Sequence, residues 1–364
     1  MANNVGIQLS HIHLKHFRCF DQFDLDFDGP LVLLEGANGI GKTSILEALH
    51  YACYLRSFRT RTTKELISFG KEGFFIKVAM HGESQLTHTI RVGFSHNKRL
   101  VKVDQQTVSS YKDLMTYYKV LSVTEDDLQI VQGGPQERRT LLDQFLLLTD
   151  QNYGHLVRIY RQLVDQRNAL LYAPNSNMDT YAILTKQLWE KSKEVQELRQ
   201  TVLVALQREV SLLRDAYLPQ LPDITFSYRP KLNLCDSIEQ FDLEHLDLYS
   251  KEKRYKRTLF GSHLDDVLIS FHGQPSRLFA SRGQQKLIVL LIKMAQLKLL
   301  SMQGHPGIFL LDDFMTDFDQ DHASVLLEAL QGLGTQLIFT SPSTGGFLAD
   351  RIVSLGGYSS NLTY

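Results

Sequence analysis

Residues 36–43 read GANGIGKT, a glycine-rich turn with the spacing Gly-x-x-x-x-Gly-Lys-Thr. Its flanks complete the pattern. PLVLLE (30–35) is a continuous apolar run of the kind that forms a strand buried on both faces. From Thr43 onward Ile45, Leu49 and Ala52 fall on one face of a helix, with Leu46 and Cys53 beside them. A glycine turn between such a strand and such a helix is a phosphate-binding loop, and this context weighs against a chance match. Gly36, Gly39 and Gly41 let the backbone of Ala37, Asn38 and Ile40 wrap a phosphate with its N–H groups, and the helix N-terminus adds a favourable dipole. Lys42 would place its charge on the β- and γ-phosphates, and Thr43 would offer its hydroxyl to Mg²⁺.

Such a loop needs a carboxylate at the end of a neighbouring apolar strand, and GIFLLDD (307–313) supplies two. Asp312 is the expected Mg²⁺ ligand, through water, and Asp313 is placed to orient or activate an attacking water. The bland alternative is a pair of solvated acids at a strand end. A second polar turn, SRGQQK (281–286), precedes the apolar run LIVLLIKMAQLKLL. By itself it is a capping box, with Ser281 as N-cap and Gln284 at N3. In ATPases whose two heads sandwich the nucleotide, a Ser-x-Gly-Gln loop also aims its hydroxyl and N–H groups at the γ-phosphate of the partner subunit. Ser281, Gly283 and Gln284 fit both readings, because both need free donors at a helix N-terminus.

Composition narrows the field. The 364 residues carry 39 Lys and Arg against 40 Asp and Glu, so any nucleic-acid binding must come from local basic patches. The 43% hydrophobic and 22% charged fractions are ordinary for a globular protein. Cys19, Cys53 and Cys235 are far apart, which suggests neither a disulfide framework nor a zinc site. The first ten residues have no secretion-signal pattern, and Leu287–Leu300 is too short and too charged to span a bilayer. The expectation is a cytoplasmic protein with no membrane partner.

The organisation reads as α/β, helical insert, α/β. DQFDLDFD alternates as a half-buried strand, and FFIKVAMHG and LTHTIRVGF read as strands joined by a glycine-containing turn. Gln136 to Leu171 is helical in pattern, APNSN (173–177) is a turn, and Asp179 to Leu218 runs without Gly or Pro. Two long helices around a short turn suggest an antiparallel hairpin. ITFSYRP alternates as a strand, and VLISFHGQPSRLF reads as a β-hairpin around Gly273 and Pro275. Helix 284–301, strand GIFLLDD, helix 320–331 and strand TQLIFTS then restore the α/β rhythm. The expected division is an ATP-binding lobe from 1–125 and 302–364, with both chain ends in one sheet. The mainly helical lobe, 126–301, would carry the Ser281 loop.

The phosphate loop, the Ser-x-Gly-Gln turn and LLDDFMTDFD, in that order, resemble ABC-type ATPase heads of the SMC kind. HLKHFRCFDQFDLDF is similar to the opening strands of that group. LEALHYACYLRSFRT, GGPQERRTLLDQFLL and YRQLVDQRNALL extend the likeness, nearly end to end, to the RecF family of bacterial DNA replication and repair proteins. The resemblance implies a P-loop head with a helical second lobe and an ATP-dependent homodimer on double-stranded DNA and gap junctions. It implies slow, DNA-stimulated hydrolysis with ATP and Mg²⁺ as cofactors, and action with RecO and RecR to load RecA at single-strand gaps, in repair and the SOS response. It makes Asp319 the carboxylate of the D-loop. Two departures stand out: GSHLDD (261–266) where the family carries Gly-Pro-His-Arg-Asp-Asp, and Arg282 where the signature carries glycine.

Two basic runs are candidate DNA contacts, RSFRTRTTK with Arg56, Arg59, Arg61 and Lys64, and KEKRYKR at 251–257. Arg138 and Arg139 are equally readable as structural partners of acids on the helical lobe. Other functions remain open from residues alone: a nucleotide-binding subunit of a membrane transporter, or a scaffold that ATP locks without hydrolysis. A metal-dependent nuclease finds no additional acidic cluster to support it.

Overall fold

The computed structural model describes residues 8–356 apart from 82–86, 109–113, 115–118, 175–176, 305–306, 314–317, 319 and 343–348. Two compact units emerge, the first from 1–127, 213–219 and 290–364, the second from 128–212 and 220–289. The return to the first unit thus falls inside a helix, Arg282–Met302, rather than at 302. Its later half is largely buried, with Leu290, Leu291, Met294, Leu297 and Leu300 at most 1% exposed, and the buried Lys293 pairs with Asp127 at 2.8 Å.

The first unit holds two sheets. β1 (Gln8–Phe17), β2 (Phe20–Asp26), β4 (Gly73–His81), β5 (Thr87–Ser95), β6 (Lys98–Val103) and β7 (Gln106–Thr107) form an antiparallel sheet ordered β2-β1-β4-β5-β6-β7. β3 (Leu31–Glu35), β8 (Val120–Val123), β12 (Ile308–Leu311), β13 (Leu337–Ser341) and β14 (Arg351–Ser354) form a parallel sheet ordered β14-β3-β13-β12-β8. Both chain ends therefore meet in one sheet. The helix Lys42–Tyr54 is buried with residues of both sheets in one core, which contains Ile45, Leu49, Ile76, Val92, Leu310 and Ile338. Gln336, 3% exposed, clips β1 to this sheet: its Oε1 accepts from Leu9 N at 2.6 Å and its Nε2 donates to Leu9 O at 3.1 Å.

The second unit is helical with a small antiparallel sheet of β9 (Ile224–Arg229), β10 (Asp266–Phe271) and β11 (Gln274–Pro275). The helix Met178–Tyr217 has 40 residues, about 60 Å at 1.5 Å per residue. The stretch before the APNSN turn is two helices, Pro135–Thr149 and Tyr153–Tyr172, rather than one. Asp150 makes the break, because its carboxylate accepts from Asn152 N at 2.7 Å and offers the backbone an alternative to helix. The expected hairpin at 267–279 is also shorter than read. Its return strand is only Gln274–Pro275, and Ser276–Phe279 is a helical turn held by Ser276 Oγ on Ile269 O at 2.8 Å.

Buried charge is fully paired at the centre of this unit. Arg167 and Glu252, both 0% exposed, form a two-pronged pair at 3.0 and 2.9 Å, and Tyr181 donates to the same carboxylate. Glu252 lies in the KEKRYKR run, whose helix Leu248–Tyr255 is thereby fixed.

Candidate nucleotide site

The phosphate loop is built by glycines that the surroundings require. Gly41, the N-cap of helix Lys42–Tyr54, has φ +105°, and a Cβ there would lie 2.4 Å from the Phe20 ring and 2.8 Å from Cys19 Sγ. Gly39 has φ +85°, a left-handed conformation that side chains rarely adopt. Lys42 is 4% exposed, and its ammonium donates to Gly36 O at 2.7 Å and Ala37 O at 3.3 Å, which holds the charge against the loop.

The acidic strand ends beside it. Thr43 Oγ1 lies 2.9 Å from Asp312 Oδ1, which Thr340 Oγ1 also approaches at 3.1 Å. Asp313 N donates to Thr340 Oγ1 at 2.7 Å, so one buried threonine positions both acids. Burial pushes the Asp312 carboxyl above the usual carboxylate range, and the adjacent Asp313 charge adds to this against the hydrogen bonds from Thr43 and Thr340. Asp313 adopts φ +47°, turning the chain sharply after β12. A desolvated carboxylate beside a threonine hydroxyl suits Mg²⁺, which takes one or two protein oxygens and keeps waters and phosphate as its other ligands. Among the described residues no cluster of three or more His, Cys, Asp or Glu could hold a metal unaided.

A cavity of about 580 Å³ opens over the loop, bounded by Asn38, Lys42, Thr43, Asp313, Arg18 and Arg59 among others. Arg59, read from sequence as a DNA contact, therefore lies at the phosphate loop, where it pairs with the buried Glu47 at 3.6 Å. Glu47 also takes a two-pronged bond from Arg18 at 2.8 and 2.7 Å, and accepts from Ser57 Oγ at 2.5 Å. Ser57 Oγ in turn accepts from Arg59 N and Thr60 N, so one carboxylate in the helix after the loop shapes the whole basic turn. Arg56, Arg61 and Lys64 are exposed.

Neither Arg18 nor Glu47 nor Thr340 is flagged by spacing in the sequence. The one local signal was a glutamate on the apolar helix face, at a position that only a buried cation would make tolerable.

In the second unit the capping box forms as read. Ser281 N donates to Gln284 Oε1 at 2.8 Å, and Gln284 N to Ser281 Oγ at 3.3 Å. A Cβ on Gly283 would meet nothing within 4 Å. Asp319 lies outside the described residues. The GSHLDD turn is structural: Asp265, 0% exposed, accepts from Gln196, Tyr228 and Lys231 N, and Asp266 takes a two-pronged bond from Arg138. Arg139 donates to Asp265 O, so both arginines serve the fold of this unit.

One basic feature emerges only from strand register. Lys77, Arg91 and Lys102 face one another in a single row across β4, β5 and β6, which β1 continues with His13, itself hydrogen-bonded to Asp24 of β2 at 2.8 Å. They stand on the face opposite the buried Ile76, Val78, Val92 and Val101, with the exposed Lys15 in the next row. Strands lie about 4.8 Å apart, and like charges directly opposite destabilise a sheet.

A family model described as an AAA domain matches residues 11–258. The DNA replication and repair protein RecF of Cyanothece sp. (strain PCC 7425 / ATCC 29141) is 30% identical over 359 residues, covering 95% of this chain and 94% of that one. The chain belongs to the RecF family. RecF of Synechococcus sp. (strain JA-2-3B'a(2-13)) is 31% identical, covering 93% of this chain and 92% of its own. A solved structure described as the recombination mediator protein RecF-ATPrS in the RecFOR pathway superposes with a TM-score of 0.84 at 23% identity, over 98% of both chains. An Smc head domain from Pyrococcus furiosus superposes at 0.59 and 16% identity, covering 96% and 93%. The fold of this RecF relative is thus that of a P-loop, ABC-type ATPase head, shared with SMC proteins. No helix among the described residues is long and apolar enough to cross a membrane.

Proposed function

We propose that this chain is an ATP-dependent DNA-binding protein of replication and recombinational repair, which dimerises around ATP on DNA and hydrolyses it slowly. The observation that carries the nucleotide half is the cluster of Lys42, Thr43, Asp312, Asp313 and Thr340, assembled from the phosphate loop, β12 and β13. The loop N–H groups and Lys42 hold the phosphates, Thr43 and Asp312 hold Mg²⁺, and Asp313 orients the attacking water. Bound Mg²⁺ supplies neutralisation of phosphate charge. Arg59, at the same cavity, serves the nucleotide before it serves DNA. Ser281, Gly283 and Gln284 would act on the nucleotide of a second copy. Gly283 supports this, since the chain's own packing does not require a glycine there. Asp319 would contribute the D-loop carboxylate.

The DNA half rests on the family and on the row Lys77, Arg91, Lys102. A sugar–phosphate backbone lying on that face would relieve the repulsion the row carries. As in the family, the protein would act with RecO and RecR at single-strand gaps to load RecA, within the SOS response, in the cytoplasm.

The test is fluorescence anisotropy of a labelled gapped duplex, with and without ATP–Mg²⁺, for the wild type, Lys42→Met and the double variant Lys77→Glu/Lys102→Glu. ATP should tighten binding, Lys42→Met should lose that gain, and the double variant should lose affinity at every nucleotide state. Affinity that ignores both ATP and Lys42 would sink the reading and turn the search toward a protein or membrane target.

A further inference from the structure

The second unit holds a cavity of about 670 Å³ whose lining shares no residue with the cavity over the phosphate loop. Its walls come from the helix Tyr153–Tyr172, the segment after β9, the helix Leu248–Tyr255 and the stretch 257–264. Hydrogen bonds fix that last stretch in advance of any ligand. Thr258 N donates to Asn168 Oδ1 at 2.7 Å, Leu259 N to the buried Glu252 at 2.8 Å, and Arg257 N to Glu252 O at 3.2 Å. A site held in this way is preformed, so a ligand does not have to order it on binding.

The lining divides by exposure. Its apolar members, Val164, Leu232, Leu248, Leu259 and Leu264, are buried or half-buried, and Leu264 stands where the family carries arginine. Its charged members are exposed: Lys231, Lys251 and Arg257 against the single acid Asp247. Lys251 holds Asp247 at 2.5 Å, which leaves Lys231 and Arg257 with no side-chain partner among the described residues. Two neutral donors join them. Asn168 has its oxygen on Thr258 N and keeps its amide hydrogens available. His263 Nδ1 lies 2.6 Å from Tyr160 OH, which already accepts from His263 N at 3.1 Å. The phenol therefore donates to Nδ1, and the ring carries its own N–H on Nε2. Apolar surface also continues past the cavity, with Leu243 71% and Leu246 82% exposed on either side of the lining residue His245 in the chain.

Unpaired cations and N–H donors beside an apolar lining select among ligands. Duplex DNA matches only half of the site, because its phosphates suit the cations but its backbone brings nothing apolar to the leucines. A small organic anion would leave Leu243 and Leu246 uncovered. A peptide that alternates acidic and large apolar side chains matches both halves. We propose that this cavity is a docking site for an acidic segment of a partner protein. An apolar side chain of that segment enters among Leu232, Leu248, Leu259 and Leu264, and its carboxylates meet Lys231 and Arg257. Arg257, the last residue of the KEKRYKR run, then serves a protein partner rather than DNA. The site is independent of the nucleotide reading.

The experiment selects random heptapeptides displayed on phage against the immobilised full chain, in parallel with the double variant Lys231→Glu/Arg257→Glu. Wild type should enrich sequences that combine Asp or Glu with Leu, Ile or Phe, and the double variant should not. A selected peptide, fluorescently labelled, should lose at least tenfold in affinity on the double variant. Arg257→Ala, which adds no repulsion, should show part of that loss. Replacing the peptide's apolar residue by alanine should weaken it comparably, and an unlabelled gapped duplex should not displace it. Thermal melting of the double variant should match wild type, since neither side chain holds another group. The proposal fails if no acidic and apolar sequences are enriched, or if the double variant enriches the same ones. It fails also if the duplex displaces the peptide, which would make the patch a DNA contact.

Discussion

Two polar glycine turns open helices in this molecule, and they are built on opposite principles. At 36–43 the glycines are compulsory: Gly41 has no room for a Cβ against Phe20 and Cys19, and Gly39 needs a left-handed φ. Lys42 and Thr43 are both engaged by their own chain. At 281–284 the reverse holds. The capping box satisfies itself through Ser281 and Gln284, yet Gly283 faces open space. The first turn is finished by its own fold. The second has a glycine that the packing of its own chain does not demand.

That contrast can be broken most forcefully at Gly41. Gly41→Ala adds a methyl into the Phe20 ring at a φ that alanine resists, and should cost roughly 3 kcal/mol in urea unfolding, with loss of ATP affinity in direct titration. A cost below about 1 kcal/mol would mean that the loop relaxes and the glycine is not enforced.

Acid should probe the helix behind the loop. Burial lowers the His50 pKa to about 4 from 6.5, so the folded state keeps the ring neutral while the unfolded chain protonates it. The stabilisation is present above about 6.5 and is lost as pH falls toward 4, because the unfolded state then binds more protons. His263 in the second unit is likewise lowered to about 4, by burial first and by Arg139, Arg167 and Arg199 next. Each should contribute more than about 1 kcal/mol of acid sensitivity, and His50→Phe should flatten its share in pH-dependent denaturation curves.

The Ser281 turn should respond more mildly and in two separable ways. Ser281→Ala removes an N-cap and should cost about 1 kcal/mol. Ser281→Arg should leave single-chain ATP binding intact but abolish ATP-dependent dimerisation, followed by sedimentation velocity. The smallest effect is Gly283→Ala. It should change stability by less than about 1 kcal/mol, in the stabilising direction, and still weaken the ATP-dependent dimer. A dimer unaffected by both substitutions would reduce the turn to a helix cap.

The phosphate loop and capping box were legible because each is local: a few consecutive residues dictate the turn and the donors it exposes. The 40-residue helix was legible from its period and its lack of Gly and Pro. The break at Asp150 was not, since one side-chain bond to Asn152 N decides it. Strand β8, four residues long, carries too little pattern to be seen, and it exists through its parallel pairing with β12. Arg59 shows the same limit in the site. As one of several basics in RSFRTRTTK it reads as a DNA contact, and only its link to buried Glu47 shows that it also lines the cavity over the phosphate loop.

By itself, then, the sequence determined the phosphate loop, the acidic strand end and the cap before the long apolar helix, all of which follow from spacing along a few turns of chain. The class of head came instead from a resemblance that runs along nearly the whole sequence. Tertiary structure decided which side chains stand around them. Thr340 comes to Asp312 through β-strand neighbours 28 residues apart in sequence. Arg18 reaches Glu47 across 29 residues, and Lys77, Arg91 and Lys102 fall into one row only because strand register aligns them. Register and burial depend on the whole core, so no local stretch encodes them.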